Sequence, residues 1–158
     1  MESTKKKITF KKAIELGQAV YAPNLDSNKR DRLSMHIVQL REYLKSPAEQ
    51  YNKKLLAIEQ ELCSVDSNGD FYLDSKNIPI YSKFNKTNQK IRDERVQKLL
   101  EEEVDIEYKY CTDFSRIKTL HLSFIYMFNG YLFDLSQEQI EEFFILPDEP
   151  EKKEDKKD

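Results

Sequence analysis

Apolar residues recur in steps of three and four at Leu33, Ile37, Leu40 and Leu44, and again at Tyr51, Leu55, Ile58 and Leu62. That spacing returns side chains to one face of a 3.6-residue turn and predicts long amphipathic helix on both sides of Pro47. The intervening Ser46-Pro47-Ala48-Glu49 offers a capping serine, a proline suited to a first helical position and a glutamate able to reach back. Either the helix stops and restarts there, or one long helix kinks at Pro47. Upstream, KKKITF alternates polar and apolar residues and suits a short strand or arm. The following KKAIELGQAVYA suits a helix with Ile14, Leu16, Ala19 and Val20 inward, closed by Pro23, with Asp26 or Ser27 capping the next helix.

Downstream, Ile91, Val96, Leu99 and Leu100 predict a helix from Thr87 to Glu102. It runs into a stretch where Val104, Ile106, Tyr108 and Tyr110 alternate with Asp105, Glu107 and Lys109, the period of a strand with one wet face. LHLSFIYMFNGYLF is the most apolar stretch and reads as a buried helix or strand pair, with Asn129-Gly130 ending a helix or turning a hairpin. Ser136 and Gln139 form a capping box before Ile140, Phe143 and Phe144. No internal repeat stands out.

The stretch VDSNGDFYLD at residues 65–74 poses a choice between a calcium loop and a hairpin turn. Counted from Asp66 as an EF-hand loop, the sixth position holds Phe71 instead of glycine and the twelfth holds Asn77 instead of glutamate. A two-residue hairpin accounts for the glycine directly: Asn68-Gly69 forms the corner, both with positive φ, between strand positions Cys63, Val65, Phe71 and Leu73. The hairpin is the expectation.

Composition changes this picture only modestly. Among 158 residues, 35% are charged and 39% apolar, polar for a globular protein but enough to collapse. The 26 basic and 29 acidic residues leave a net charge of −3, so no global field draws the chain to nucleic acid. With three glycines and five prolines it has few of the turns that an all-β fold needs. No run approaches the roughly 18 apolar residues of a membrane span, and MESTKKKITF lacks the apolar core of a secretory signal, so the cytosol is the expected compartment. Cys63 and Cys111 read as ordinary thiols. The fold class is therefore α+β and predominantly helical, with long amphipathic helices and a small antiparallel sheet or hairpin. A single domain is expected over residues 1–146, and PDEPEKKEDKKD makes 147–158 a disordered charged tail.

Catalytic motifs are missing: no glycine-rich phosphate loop, no nucleophile elbow and no paired metal-binding histidines. His36 and His121 lie beside apolar positions without cysteine or carboxylate at ligand spacing. No cofactor or metal is expected, and the chain is not expected to be an enzyme. Glu101, Glu102 and Glu103, with Asp105 and Glu107, form an acidic run at a helix end, where successive side chains diverge and the helix dipole opposes them; Lys98, Lys109 or a basic partner must offset them. Lys5, Lys6, Lys7, Lys11 and Lys12 form a basic arm. Tyr and Phe, nine each, concentrate between residues 108 and 144; Tyr126, Tyr131 and Phe144 are the candidates for an exposed contact surface.

In sum, KITFKKAIEL, a long helical region, DSNGD, a helix running into EEEVDIEYKY and a closing LSQEQIEEFFIL follow one another. This layout resembles small phage- and prophage-encoded proteins of a family with a domain of unknown function, over most of residues 8–146, although HLSFIYMFNGYLF is richer in aromatics than that group. The resemblance implies a non-enzymatic accessory, concerned with particle assembly and without catalytic residues to carry over. Expected partners are another protein or further copies of the chain as an oligomer, in the host cytoplasm or on the virion, and not nucleic acid or membrane. The alternative is an inhibitor of a host nucleic-acid-binding protein, its acidic face imitating the phosphate backbone.

Overall fold

In the computed structural model, residues 3–25, 31–114 and 117–143 are described. Within them the chain forms β1 (Thr4–Thr9), α1 (Phe10–Ala19), α2 (Arg32–Tyr43), α3 (Lys45–Leu62), α4 (Lys86–Glu101), β2 (Glu103–Tyr108), a 3-10 turn (Ile117–Thr119), α5 (Leu122–Phe128) and α6 (Gln137–Phe143). The fold is α+β and mostly helical, with a small two-stranded antiparallel sheet. Internal contacts gather in two compact units, each assembled from separated stretches. The aromatic unit comprises the described parts of Met1–Thr4, Ala19–Arg41 and Tyr108–Asp158; the hairpin unit comprises Lys5–Gln18 and Glu42–Glu107. The expected tail at 147–158 lies outside the described residues.

The hairpin unit is built on the antiparallel pair α3 and α4. Its direction follows from the contacts: Arg92 meets Glu59 at 2.9 Å, and the Asn88 side chain donates to the Leu62 carbonyl at 2.9 Å. Asn85 caps α4 by accepting the Asn88 amide at 2.7 Å. The expected seam residues Tyr51, Leu55, Ile58, Ile91, Val96 and Leu100 are only half-buried, whereas Leu62 and Leu99 are buried. Helix α3 restarts after a single residue, Leu44, whose φ of −78° and ψ of −8° stay helical, and no side chain caps it. Ser46 therefore lies inside the first turn, where it accepts from the Gln50 side chain. Pro47 occupies the third helical position, whose N–H has no intrahelical partner, so its missing donor breaks no bond. The outcome is nearer the single kinked helix than the capped restart.

Strands β1 and β2 pair with Lys7 opposite Asp105 (3.1 Å), and the Phe10 amide donates to the Glu102 carbonyl (2.9 Å). Val104 and Ile106 point into the core while Glu103 and Asp105 stay wet, the alternation the sequence predicts. Leu16 and Val20 are buried as expected, whereas Ile14 and Ala19 are only half-buried and Phe10 and Ala13 complete the inward stripe.

The aromatic unit packs the stretch the sequence marks as most apolar. Phe128, Leu132, Phe133, Ile125 and Ile117 are fully buried, and Phe124 stacks on Phe128 with ring centroids 4.4 Å apart. Asn129-Gly130 ends α5 rather than turning a hairpin: the Asn129 amide donates to the Ile125 carbonyl, and Gly130 takes φ +97°. The Ser136/Gln139 capping box is formed reciprocally, with bonds of 3.1 Å and 2.8 Å. Asp31, not the expected Asp26 or Ser27, caps α2 by accepting the Ser34 amide at 2.9 Å; those two lie outside the described residues.

Candidate functional site

The turn at residues 66–70 is a hairpin, but its corner is shifted from the expected one. The Gly69 amide donates to the Asp66 carbonyl at 3.0 Å, which puts Ser67 and Asn68 at the corner, and the Asp66 amide closes on the Asp70 carbonyl at 2.8 Å. Only Gly69 carries positive φ (+84°), because a three-residue loop needs one left-handed residue after the turn, not two within it. Val65 and Phe71 form the antiparallel bridge on either side.

Eight residues on, the same turn is built again. The Asn77 amide donates to the Asp74 carbonyl at 3.0 Å, the Asp74 amide to the Ile78 carbonyl at 2.9 Å, and Leu73 bridges Pro79. Asn77 takes the place of Gly69 with φ +62°, a conformation asparagine tolerates better than most residues. Each turn is locked by its aspartate: Asp66 Oδ1 accepts the amides of Asn68 and Asp70, and Asp74 Oδ1 those of Lys76 and Ile78, at 2.8–3.0 Å. These carboxylates are thus directed at their own backbone. No group of three or more metal-ligating side chains converges among the described residues.

The tandem hairpin also leaves grease in water. Of nine large apolar or tyrosine side chains exposed among the described residues, four, Val65, Tyr72, Leu73 and Ile78, fall here. Phe71 and Tyr81 pack edge to face at 5.1 Å, and Lys83 lies 5.5 Å from the Tyr72 ring. Sequence reasoning placed Val65 and Leu73 as strand positions of the hairpin but did not mark them, Tyr72 or Ile78 as exposed, and missed the second turn. The available signal was the pair of Asp-Ser dipeptides eight residues apart, each preceded by an apolar residue.

The five expected contact residues that are described belong to different units. Glu101, Glu102 and Glu103 are exposed in the hairpin unit at the end of α4 and start of β2. Their counter-charge is not Lys98 or Lys109. Lys54 meets Glu102 at 3.3 Å and Lys7 meets Asp105, while the strand register sets Lys5 opposite Glu107. The basic arm and the acidic run thus face each other across one sheet. In the aromatic unit Tyr126 is exposed, its hydroxyl exchanging hydrogen bonds with the Gln137 amide. Tyr131 is half-buried, its ring set edge-on to Tyr108, and burial pushes its ionisation up; the same holds for Tyr110, whose hydroxyl donates to the Gly130 carbonyl. Tyr131 is accordingly more packing than contact surface. Phe144 lies outside the described residues.

Elsewhere in the aromatic unit, His121 sits at a cavity of about 300 Å³ walled by Pro23, Leu33, Ile37 and Phe124. The carboxylate in its wall, Asp31, is engaged in capping α2 through Ser34. His36 Nδ1 lies 2.8 Å from the Arg32 carbonyl oxygen one turn back. Cys63 and Cys111 are buried free thiols whose ionisation burial pushes up. No helix among the described residues is long and apolar enough to cross a membrane. Comparison with family models, curated proteins and solved structures finds no match.

Proposed function

We propose that this chain is a non-enzymatic protein-binding accessory, of the phage-borne kind its layout resembles, acting in the host cytoplasm or on the virion. It engages another protein or a second copy of itself through the tandem hairpin. The observation that carries this reading is the exposure of Val65, Tyr72, Leu73 and Ile78 on two turns that their own aspartates lock. Apolar side chains left in water by a charged chain carry a cost, and a partner that covers them removes it. The turns fix the backbone beforehand, so less ordering entropy is lost on association. The acidic-inhibitor alternative has less support, since Lys54 and Lys7 draw charge away from the face it would use.

The test places a photo-cross-linking residue at Leu73, and in a second variant at exposed Lys98, in the full chain expressed in its natural host. An adduct of one defined mass from position 73 and none from 98 is expected, and its mass tells a second copy from a different protein. No adduct, or equal adducts from both positions, overturns the reading.

A further inference from the structure

Two Asn-Gly pairs occur in the chain, Asn68-Gly69 and Asn129-Gly130. An asparagine before glycine is the amide most open to attack by its own backbone, because the following nitrogen carries no bulky neighbour to block its approach. Sequence alone makes the two sites equivalent. The structure separates them.

At Asn129 the carboxamide is held at both ends: Nδ2 donates to the Leu135 carbonyl at 2.9 Å, and Oδ1 accepts the Leu135 amide at 2.8 Å. The residue is half-buried next to fully buried Phe128, and the Gly130 nitrogen donates to the Phe133 carbonyl at 2.7 Å. Cyclisation there would need three hydrogen bonds to break inside packed core. Asn68 is exposed at a turn corner, and its carboxamide makes no hydrogen bond among the described residues. A single bond, Gly69 N–H to the Asp66 carbonyl at 3.0 Å, restrains the attacking nitrogen, at the tip of a surface hairpin of the kind that opens locally.

We propose that Asn68 is a modification site, where the side chain cyclises onto the Gly69 nitrogen and reopens as isoaspartate or aspartate, while the fold keeps Asn129 intact. The Gly69 nitrogen attacks Asn68 Cγ; the new C–N bond closes a succinimide, the Cγ–Nδ2 bond breaks, and the amide proton leaves with the departing nitrogen as ammonia. Water then opens the ring. Attack at the side-chain carbonyl gives aspartate, and attack at the main-chain carbonyl gives isoaspartate. Isoaspartate adds one carbon to the backbone at the corner, so the Asp66 to Gly69 bond and the Val65–Phe71 bridge no longer fit their present spacing. The second turn carries Lys76 where the first has Asn68, and its own Asn77 precedes the β-branched Ile78, which hinders attack, so it serves as a slow internal reference.

The experiment holds the full chain in mildly alkaline buffer, native and in denaturant, and follows both sites by peptide mapping that distinguishes aspartate from isoaspartate. In the native chain Asn68 should convert at least about tenfold faster than Asn129, since protection follows the free energy of local opening. In denaturant the two rates should converge. Conversion of Asn129 as fast as Asn68 in the native chain overturns the proposal. So does an intact Asn68 while the denatured chain reacts, or a rate ratio unchanged by denaturant.

Discussion

The aromatic unit and the hairpin unit are held together by different forces. In the aromatic unit Val20, Ile117, Ile125, Phe128, Leu132 and Phe133 are fully buried, and the polar groups among them are satisfied by short backbone and Asn129 bonds. In the hairpin unit the α3–α4 seam stays half-buried, and much of the stitching is ionic: Arg92 to Glu59, Arg95 to Glu61, Lys54 to Glu102, Lys7 to Asp105. Removal of apolar surface from water is worth about 1.5–3 kcal/mol per large side chain, whereas an exposed ion pair contributes about 0–1 kcal/mol and is screened by salt. The first unit therefore tolerates little change in shape. The second has a thinner margin but can leave side chains uncovered.

The largest test of this contrast is a core truncation. Phe133→Ala should lower stability by about 3–5 kcal/mol in urea unfolding of the full chain, against about 1–2 kcal/mol for Ile58→Ala in the half-buried seam. Equal losses would erase the distinction. Next comes Arg92, whose guanidinium is mostly covered and whose Nε is buried without a partner. Arg92→Ala leaves Glu59 without its partner and should cost about 1–2 kcal/mol, part of which added salt should mask in the wild-type comparison.

A pH scan probes the aromatic unit through its tyrosines. Burial raises the ionisation of Tyr110 and Tyr131 above the ordinary tyrosine value of 10.0. The unfolded chain then loses these protons first, so their contribution is full below pH 10 and declines as pH rises through that value. Tyr110→Phe should flatten the alkaline decline seen in unfolding curves. The smallest effect is expected from Leu73→Asp: stability should change by no more than about 0.5 kcal/mol, with loss of the adduct that a cross-linking residue at exposed Ile78 otherwise gives. A large stability loss would mean that Leu73 supports the fold rather than a contact.

Local signals in the sequence transferred well to the structure. The alternation through Val104 and Ile106 became β2, and Ser136 with Gln139 became a capping box, because each depends on residues within one turn or strand. Three features were harder to see. The second aspartate-locked turn has asparagine where the first has glycine, so it lacks the usual hairpin dipeptide although its bonds are the same. Pairing of the lysine arm with the acidic run joins residues 98 apart, beyond the reach of any periodicity, although their opposite charges were in plain view. The α4 stripe was legible as a helix but not as half-exposed, since burial depends on what packs above it. Of the contact candidates, Tyr126 emerged as exposed, but four further exposed side chains, Val65, Tyr72, Leu73 and Ile78, lay in a stretch whose polar residues disguised them.

The separation between β1 and β2 also bears on how the protein is made. Lys7 and Asp105 are 98 residues apart. At a ribosomal pace of about 5–20 residues per second, the first strand emerges roughly 5–20 s before its partner exists. During that interval α1, α2 and α3 are already synthesised, while the lysine-rich ribbon remains unclaimed and its own charges discourage premature aggregation.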